Sequence, residues 1–172
     1  MAQLILLGQG PSMHDCPFDT ETWASVSVLS HNGFEDKPYS KVFCFDKPEK
    51  KDDELAGLKV ALSRNIPIVG LDWLHTYDPI TDAFVTEPYP LRELQKKFDT
   101  FYFKNDMSYM IAYALHLGYK DLLLWGVDQG GDDDDGTYVM ARPYVMFWLG
   151  VATGMGVRWD LAPDSILLRS DN

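Results

Sequence analysis

Two strand-length stretches of this chain are apolar almost without a break. Leu4-Ile5-Leu6-Leu7, within a strand expected over Ala2–Leu7, is one, and Leu122–Val127 within Asp121–Val127 (DLLLWGV) is the other. A strand with one wet face alternates apolar and polar residues. A continuous apolar run is the mark of a strand covered on both faces, which in practice means parallel strands joined by helical crossovers. Further strand patterns fall at Ser25–Ser30 (SVSVLS), Lys41–Phe45 (KVFCF), Ile66–Gly70 (IPIVG) and Val157–Leu161 (VRWDL). Helical patterns lie between them. Asp52–Arg64 places Leu55, Leu58 and Leu62 on one face, and Leu91–Phe98 is short and amphipathic. Asp106–Leu117 carries a stripe of Met107, Met110, Ile111, Ala114 and Leu117, with Asn105 as N-cap and Gly118 as C-cap. The last helix spans Tyr138–Thr153, and Pro143 implies that it starts near Arg142 or kinks there. Residues 71–90 read as a long loop. Strand and helix in alternation predict an α/β, Rossmann-like fold: a mostly parallel sheet with helices on both faces, in a single domain over residues 1–172.

The balance of charge narrows the partners. Fifteen Lys and Arg against twenty-six Asp and Glu give a net charge of −11, which disfavours nucleic acid. No apolar run approaches the roughly 18–20 residues that span a bilayer, and no Lys or Arg precedes Leu4, so a cytoplasmic protein without membrane partners is expected. Cys16 and Cys44 lack CxxC spacing and read as reduced thiols.

In open α/β sheets, ligands lie at the carboxyl ends of the strands. Here those ends are Gly8–Ser12, Ser30–Phe34, Asp46–Pro48, Gly70–Leu74 and Gly126–Gly131, all rich in Gly, Asn, Ser, Asp or His. Gly8-Gln9-Gly10-Pro11-Ser12 is half a dinucleotide fingerprint. Its glycines permit a tight turn and close backbone approach to an anion. It lacks the third glycine and the P-loop lysine, so a plain strand-to-helix turn is the competing reading. Of the four histidines, His14 and His31 fall near this edge, with His31 the candidate general base. His75 falls in the long loop and His116 inside a helix. Gly130–Gly136 (GGDDDDG) follows Asp128 without EF-hand spacing. A solvated acidic loop competes there with a hard-cation site, and Asp128 is the one carboxylate kept as a possible Mg²⁺ ligand. Arg142 is a cation that would pair with Asp128 or with a ligand phosphate. Phe147 and Trp148 read as core residues.

Residues 106–128, DMSYMIAYALHLGYKDLLLWGVD, sharpen the picture. A helix, then Gly-Tyr-Lys-Asp, then an apolar strand closing on Gly-x-Asp resembles the bacterial family 42 sialyltransferases. It is also similar to archaeal 6-hydroxymethylpterin diphosphokinase-like proteins and to short bacteriophage proteins of the same Rossmann-like type. Gly8-Gln9-Gly10-Pro11-Ser12 resembles their G-x-G-P-S turn, His31-Asn32 follows the second strand where they often carry asparagine, and Pro163-Asp164-Ser165-Ile166-Leu167 resembles their P-x-S-x-L ending. The pattern Tyr138…Arg142-Pro143…Trp148-Leu149-Gly150…Gly154-x-Gly156 is most similar to the phage proteins.

The resemblance implies a nucleotide or nucleotide-sugar ligand. Gly8, Gln9, Gly10, Pro11 and Ser12 would form its phosphate and ribose turn, and Asn32 would donate to phosphate or base. Asp106, Ser108, Asp128 and Arg142 would border it, with Asp128 and His31 as catalytic candidates. Two departures stand out. The sialyltransferases place a small Ser-Gly pair where this chain has Asp106-Met107, and their catalytic histidine follows the Gly-x-Asp strand, whereas this sequence has no histidine beyond His116. Sialyl transfer by that mechanism is therefore not expected. A glycosyl- or diphosphate-transferase-like protein is one expectation, and a non-catalytic module on the same fold that binds a nucleotide or a protein partner is the other.

Overall fold

A computed structural model describes residues 3–46, 52–71, 87–128 and 137–169. The strands are β1 (Leu4–Leu7), β2 (Glu21–Ser25), β3 (Lys41–Cys44), β4 (Ile68–Gly70), β5 (Glu87–Pro88), β6 (Asp121–Trp125) and β7 (Arg158–Leu161). The helices are α1 (Asp52–Ser63), α2 (Leu91–Phe98), α3 (Asp106–Leu117) and α4 (Thr137–Gly154). The seven strands form one sheet in the order β5-β4-β3-β2-β1-β6-β7. β1 with β6, β2 with β3, β3 with β4, β4 with β5 and β6 with β7 all pair in parallel. The expected parallel α/β fold is the one observed. None of the described helices is long and apolar enough to cross a membrane.

Contacts along the chain cluster into two compact units, Met1–Glu21 with Tyr102–Asn172, and Thr22–Phe101. In the first, β1 pairs with β6 from Leu4↔Leu122 to Leu7↔Trp125. Successive strand side chains point to opposite faces, so burial of all four β1 residues means that both faces are covered. α3 has its expected bounds and caps, and Met107, Met110, Ile111 and Ala114 of its stripe are buried, but Leu117 in the last turn is exposed. Asn105 Oδ1 accepts from Ser108 N–H at 3.1 Å, Ser108 Oγ closes the capping box, and Gly118 ends the helix at φ +88°. α4 matches the expected span Tyr138–Thr153 to within a residue at each end and keeps Pro143 inside it, so it does not start near Arg142. The carbonyl that loses its partner to Pro143 belongs to Val139, which is exposed, so the break faces water. Trp148 is core as expected, its indole N–H donating to the Tyr102 carbonyl at 2.9 Å, but Phe147 is 38 % exposed, because α4 presents it on its outer side.

The second unit holds two corrections. Ser25–Ser30 is not a strand: β2 lies earlier, at Glu21–Ser25, and Val26–Ser30 is a 3₁₀ turn. Ser30 Oγ donates to the Ser27 carbonyl at 2.7 Å, and the Ser25 and Ser27 hydroxyls sit 3.0 Å apart, local bonds that compete with a strand ladder. Val26, Val28 and Leu29 are all buried, so a period-two pattern here reflects a turn packed on every side. The stretch read as a loop contains β5, whose proline is tolerated because the strand is at the sheet edge. Cys16 and Cys44 are buried and free of any disulfide.

Two predictions follow from packing. In α1, a Cβ on Gly57 would lie 2.0 Å from the Val26 carbonyl oxygen, which is backbone and cannot swing away. Ala is favoured over Gly in a helix by about 1 kcal/mol, whereas overpacking costs about 1–3 kcal/mol. We predict that Gly57→Ala destabilises the protein in urea denaturation; a stabilised variant would refute the close packing of α1 on the 3₁₀ turn. In the first unit, Tyr119 OH donates to Glu21 Oε2 at 2.8 Å, and burial first, then Glu21, push the phenol up from 10.0 to about 12. The stability this contributes is complete below pH 10 and is lost as pH rises through 12. Tyr119→Phe should flatten that loss in alkaline unfolding curves, and an unchanged alkaline slope would rule it out.

Candidate functional site

The chain builds β2 to β5 outward on one side of β1, then returns to lay β6 and β7 on the other. The reversal falls between β1 and β6, and their carboxyl ends form the switch point where such folds bind ligands. Both ends run into glycine. Gly8 N–H donates to the Trp125 carbonyl and Gly10 N–H to the Gly126 carbonyl, each at 2.8 Å, which carries the β1–β6 ladder past the strands themselves. The approach is possible only without side chains. A Cβ on Gly8 would lie 2.5 Å from Gly126 O, one on Gly10 would lie 2.2 Å from Asp128 Oδ2, and one on Gly126 would lie 2.1 Å from Gly8 O. Gly126 also has φ +63°, a left-handed conformation that favours glycine.

Ser12 sits in the short 3₁₀ turn Pro11–Asp15 that follows. Its N–H donates to Asp128 Oδ2 at 3.0 Å and its Oγ–H to the same oxygen at 3.1 Å, while Oγ accepts from Gly126 N–H at 2.9 Å. Ser12 and Asp128 are both buried. The charge held at this turn is thus one the chain supplies itself. Hydrogen bonds to a charged acceptor contribute about 1.5–3 kcal/mol. Asp128 Oδ1 is also buried and has no hydrogen-bond partner among the described residues. Ser165 Oγ donates to the Val127 carbonyl at 3.1 Å, which fixes the segment carrying Asp164 beside the same strand end. A cleft of about 260 Å³ results, lined by Pro11, Ser12, Asp15, Asp128, Asp164 and Ile166.

Gly8, Gly10, Pro11, Ser12 and Asp128 therefore come together as expected at one strand edge, with half-buried Gln9 between the glycines. The start of α3 adjoins the turn, since Met107 Sδ lies 3.6 Å from where a Gly8 Cβ would be. Met107 is buried there, Asp106 is half-buried, and Ser108 is fully buried with its hydroxyl engaged in the capping box. Arg142 does not pair with Asp128. Its Nη2 donates to the Arg169 carbonyl at 2.8 Å, because it projects from α4 towards the C-terminal segment. His31 and Asn32 belong to the second unit, where His31 N–H donates to the Val28 carbonyl and Asn32 is an exposed turn residue. Among the described residues no group of three or more His, Cys, Asp or Glu could hold a metal ion. The acidic run 130–136 lies outside the described residues.

The sequence reading missed Gly126 as a packing glycine and Asp15 and Asp164 as lining groups. Both Gly126 and Asp164 stood inside motifs already singled out, Gly-x-Asp and Pro-Asp-Ser-Ile-Leu.

No protein-family model and no curated protein matches the chain. Solved structures do. The sialyltransferase CstII from Campylobacter jejuni in complex with the substrate analogue CMP-3FNeuAc superposes with a TM-score of 0.66 at 17% identity, over 97% of this chain and 83% of that one. The fold is that of this sialyltransferase. CstII in complex with cytidine-5'-monophosphate superposes at 0.63 and 18%, over 97% and 82%. The Maf glycosyltransferase from Magnetospirillum magneticum AMB-1 superposes at 0.55 and 15%, over 88% of this chain but 30% of that one.

The glycine contacts make a differential prediction. Gly10→Ala should destabilise the protein by about 1–3 kcal/mol, since the methyl meets a buried carboxylate and a carbonyl. Gly150→Ala, on α4 with open space around it, should be neutral or stabilising by up to about 1 kcal/mol. Equal thermal midpoints for the two variants would refute the close approach at the switch point.

Proposed function

We propose that the protein is a nucleotide- or nucleotide-sugar-binding member of the Rossmann-like transferases, acting as a single domain with its ligand at the β1–β6 switch point. The observation that carries this reading is the glycine-lined junction of Gly8–Ser12 with Gly126–Asp128 at the point where strand order reverses. The likeness to CstII solved with CMP and with a CMP-sugar analogue supports a cytidine nucleotide as the first ligand to try.

In this reading the outer face of Gly8–Ser12, with Gln9, borders the nucleotide, and Asp106 at the start of α3 lies beside it. Ser108 acts through the α3 cap, which sets the direction of that helix start. Asp128 positions the turn through Ser12. Arg142 is the candidate phosphate partner, and Asn32 and His31 are retained as candidate donor and base, each to be tested by its own substitution. Kinship with the bacteriophage and archaeal pterin diphosphokinase-like proteins and a cytoplasmic location rest on the sequence resemblance. One observation favours the second reading, a binding module without turnover: the sequence carries no histidine beyond His116 to act where the sialyltransferases place theirs.

Thermal shift and calorimetry with CMP, other nucleotides and CMP-sugars, with and without Mg²⁺, test the reading. We predict that a cytidine nucleotide raises the unfolding midpoint, by an amount equivalent to about 2.7 kcal/mol at a hundredfold excess over Kd, and that Arg142→Ala weakens binding. Consumption of a nucleotide sugar identifies a transferase, stabilisation without consumption identifies a nucleotide-binding module, and the absence of any nucleotide effect rejects both and leaves only a module for a protein partner.

A further inference from the structure

The cleft beside Ser12 has a chemistry of its own. Of its six lining residues three are carboxylates, Asp15, Asp128 and Asp164, and none is basic. Asp15 and Asp164 are exposed, so water serves their oxygens. Asp128 is different. It is only 4% exposed, Ser12 satisfies Oδ2, and the buried Oδ1 has no donor among the described residues. A buried carboxylate oxygen without a donor is costly, and its pairing normally comes from the protein, from water or from a ligand. Here the protein supplies none from the described residues, and Asp128 is among the residues that line an open cleft.

The charge of that cleft decides what kind of ligand completes it. A phosphate placed there would meet three carboxylates, and like charges at contact distance repel. The described residues hold no group of three or more side chains close enough to coordinate a metal ion directly. The volume of about 260 Å³ lies below the roughly 300–1,000 Å³ of clefts for drug-sized ligands, so it suits one end of a molecule and not a whole nucleotide. A primary ammonium meets every condition: it is compact, positively charged, and brings three N–H donors.

We propose that this cleft binds a primary ammonium group, with Asp15 and Asp164 attracting the charge and Asp128 accepting its hydrogen bond. Where the protein acts as a transferase this names the acceptor class, an amine-bearing molecule; only that extension rests on the nucleotide reading. Cation binding itself does not, and it is measured without nucleotide.

The test uses the full chain and 1,4-diaminobutane, with 1,4-butanediol as the uncharged control, followed by amide chemical shifts in two-dimensional NMR. The diamine should shift the amides of Ser12, Asp15 and Asp164 and the diol should not. Asp15→Asn and Asp164→Asn should each weaken the diamine by about two- to five-fold, and Asp53→Asn, at the start of α1, should leave it unchanged. Asp128→Asn should weaken it further, and the two exposed variants keep the test valid if that one fails to fold. Shifts spread over the acidic surface at large, an equal response to the diol, or indifference to Asp15→Asn and Asp164→Asn would overturn the proposal. A nucleotide effect on the thermal midpoint that persists in Asp15→Asn and Asp164→Asn would leave the nucleotide reading standing by itself.

Discussion

Ser12 gives two hydrogen bonds to Asp128 and receives one from Gly126, and through them the end of β1 is held to the end of β6. The partners are more than a hundred residues apart in the chain. Closing so long a loop carries an entropic cost that grows only slowly with length, so a few buried, charge-assisted bonds can hold it. The clasp sets the rest of the edge. It fixes Asp128 beneath the turn and leaves Asp128 Oδ1 unpartnered. It also brings Val127 to where Ser165 can reach its carbonyl, and so places Asp164 at the cleft. The three glycines are part of the same device, since any Cβ among them would meet backbone or carboxylate oxygen at 2.5 Å or less.

The elements that were legible in the sequence are those whose pattern has one physical explanation. A fully apolar run such as Leu4–Leu7 has no stable place but a strand covered on both faces, and the stripe of α3 carries its cap at each end. Where a pattern has two explanations, the reading failed. Ser25–Ser30 alternates as a strand does, yet serines that bond their own backbone and valines buried on all sides make a 3₁₀ turn equally well. β5 is two residues long and ends in proline, too short to show a period. α4 overrode the proline rule because the carbonyl left without a partner faces solvent.

The same distinction applies to the site. Gly8, Gly10, Ser12 and Asp128 were found because motif and strand edge coincide, and the fold gathers them. The partner of Arg142 was not legible, because a long side chain reaches whatever carbonyl lies near and the sequence does not say that this is Arg169. Asp15 and Asp164 were missed for a related reason. An aspartate in a loop has no periodicity, and only the tertiary bond from Ser165 to Val127 turns the one in Pro163–Leu167 towards the cleft.

The absence of a Cβ at Gly8 and Gly10 permits two different uses, and the geometry separates them. An anion cradle needs amides pointing outward. Here the amides of Gly8, Gly10 and Met13 donate to carbonyls, and the amide of Ser12 donates to Asp128. A ligand anion that sought the Ser12 donors would have to displace a carboxylate tethered in place, which acts at high effective concentration. It would also leave that carboxylate buried and unpaired at both oxygens, a penalty larger than the bonds gained. The amides of Gly8, Gly10, Ser12 and Met13 are therefore committed within the chain and form no open anion cradle inside the clasp. What approaches Asp128 from the cleft has to bring protons, not negative charge.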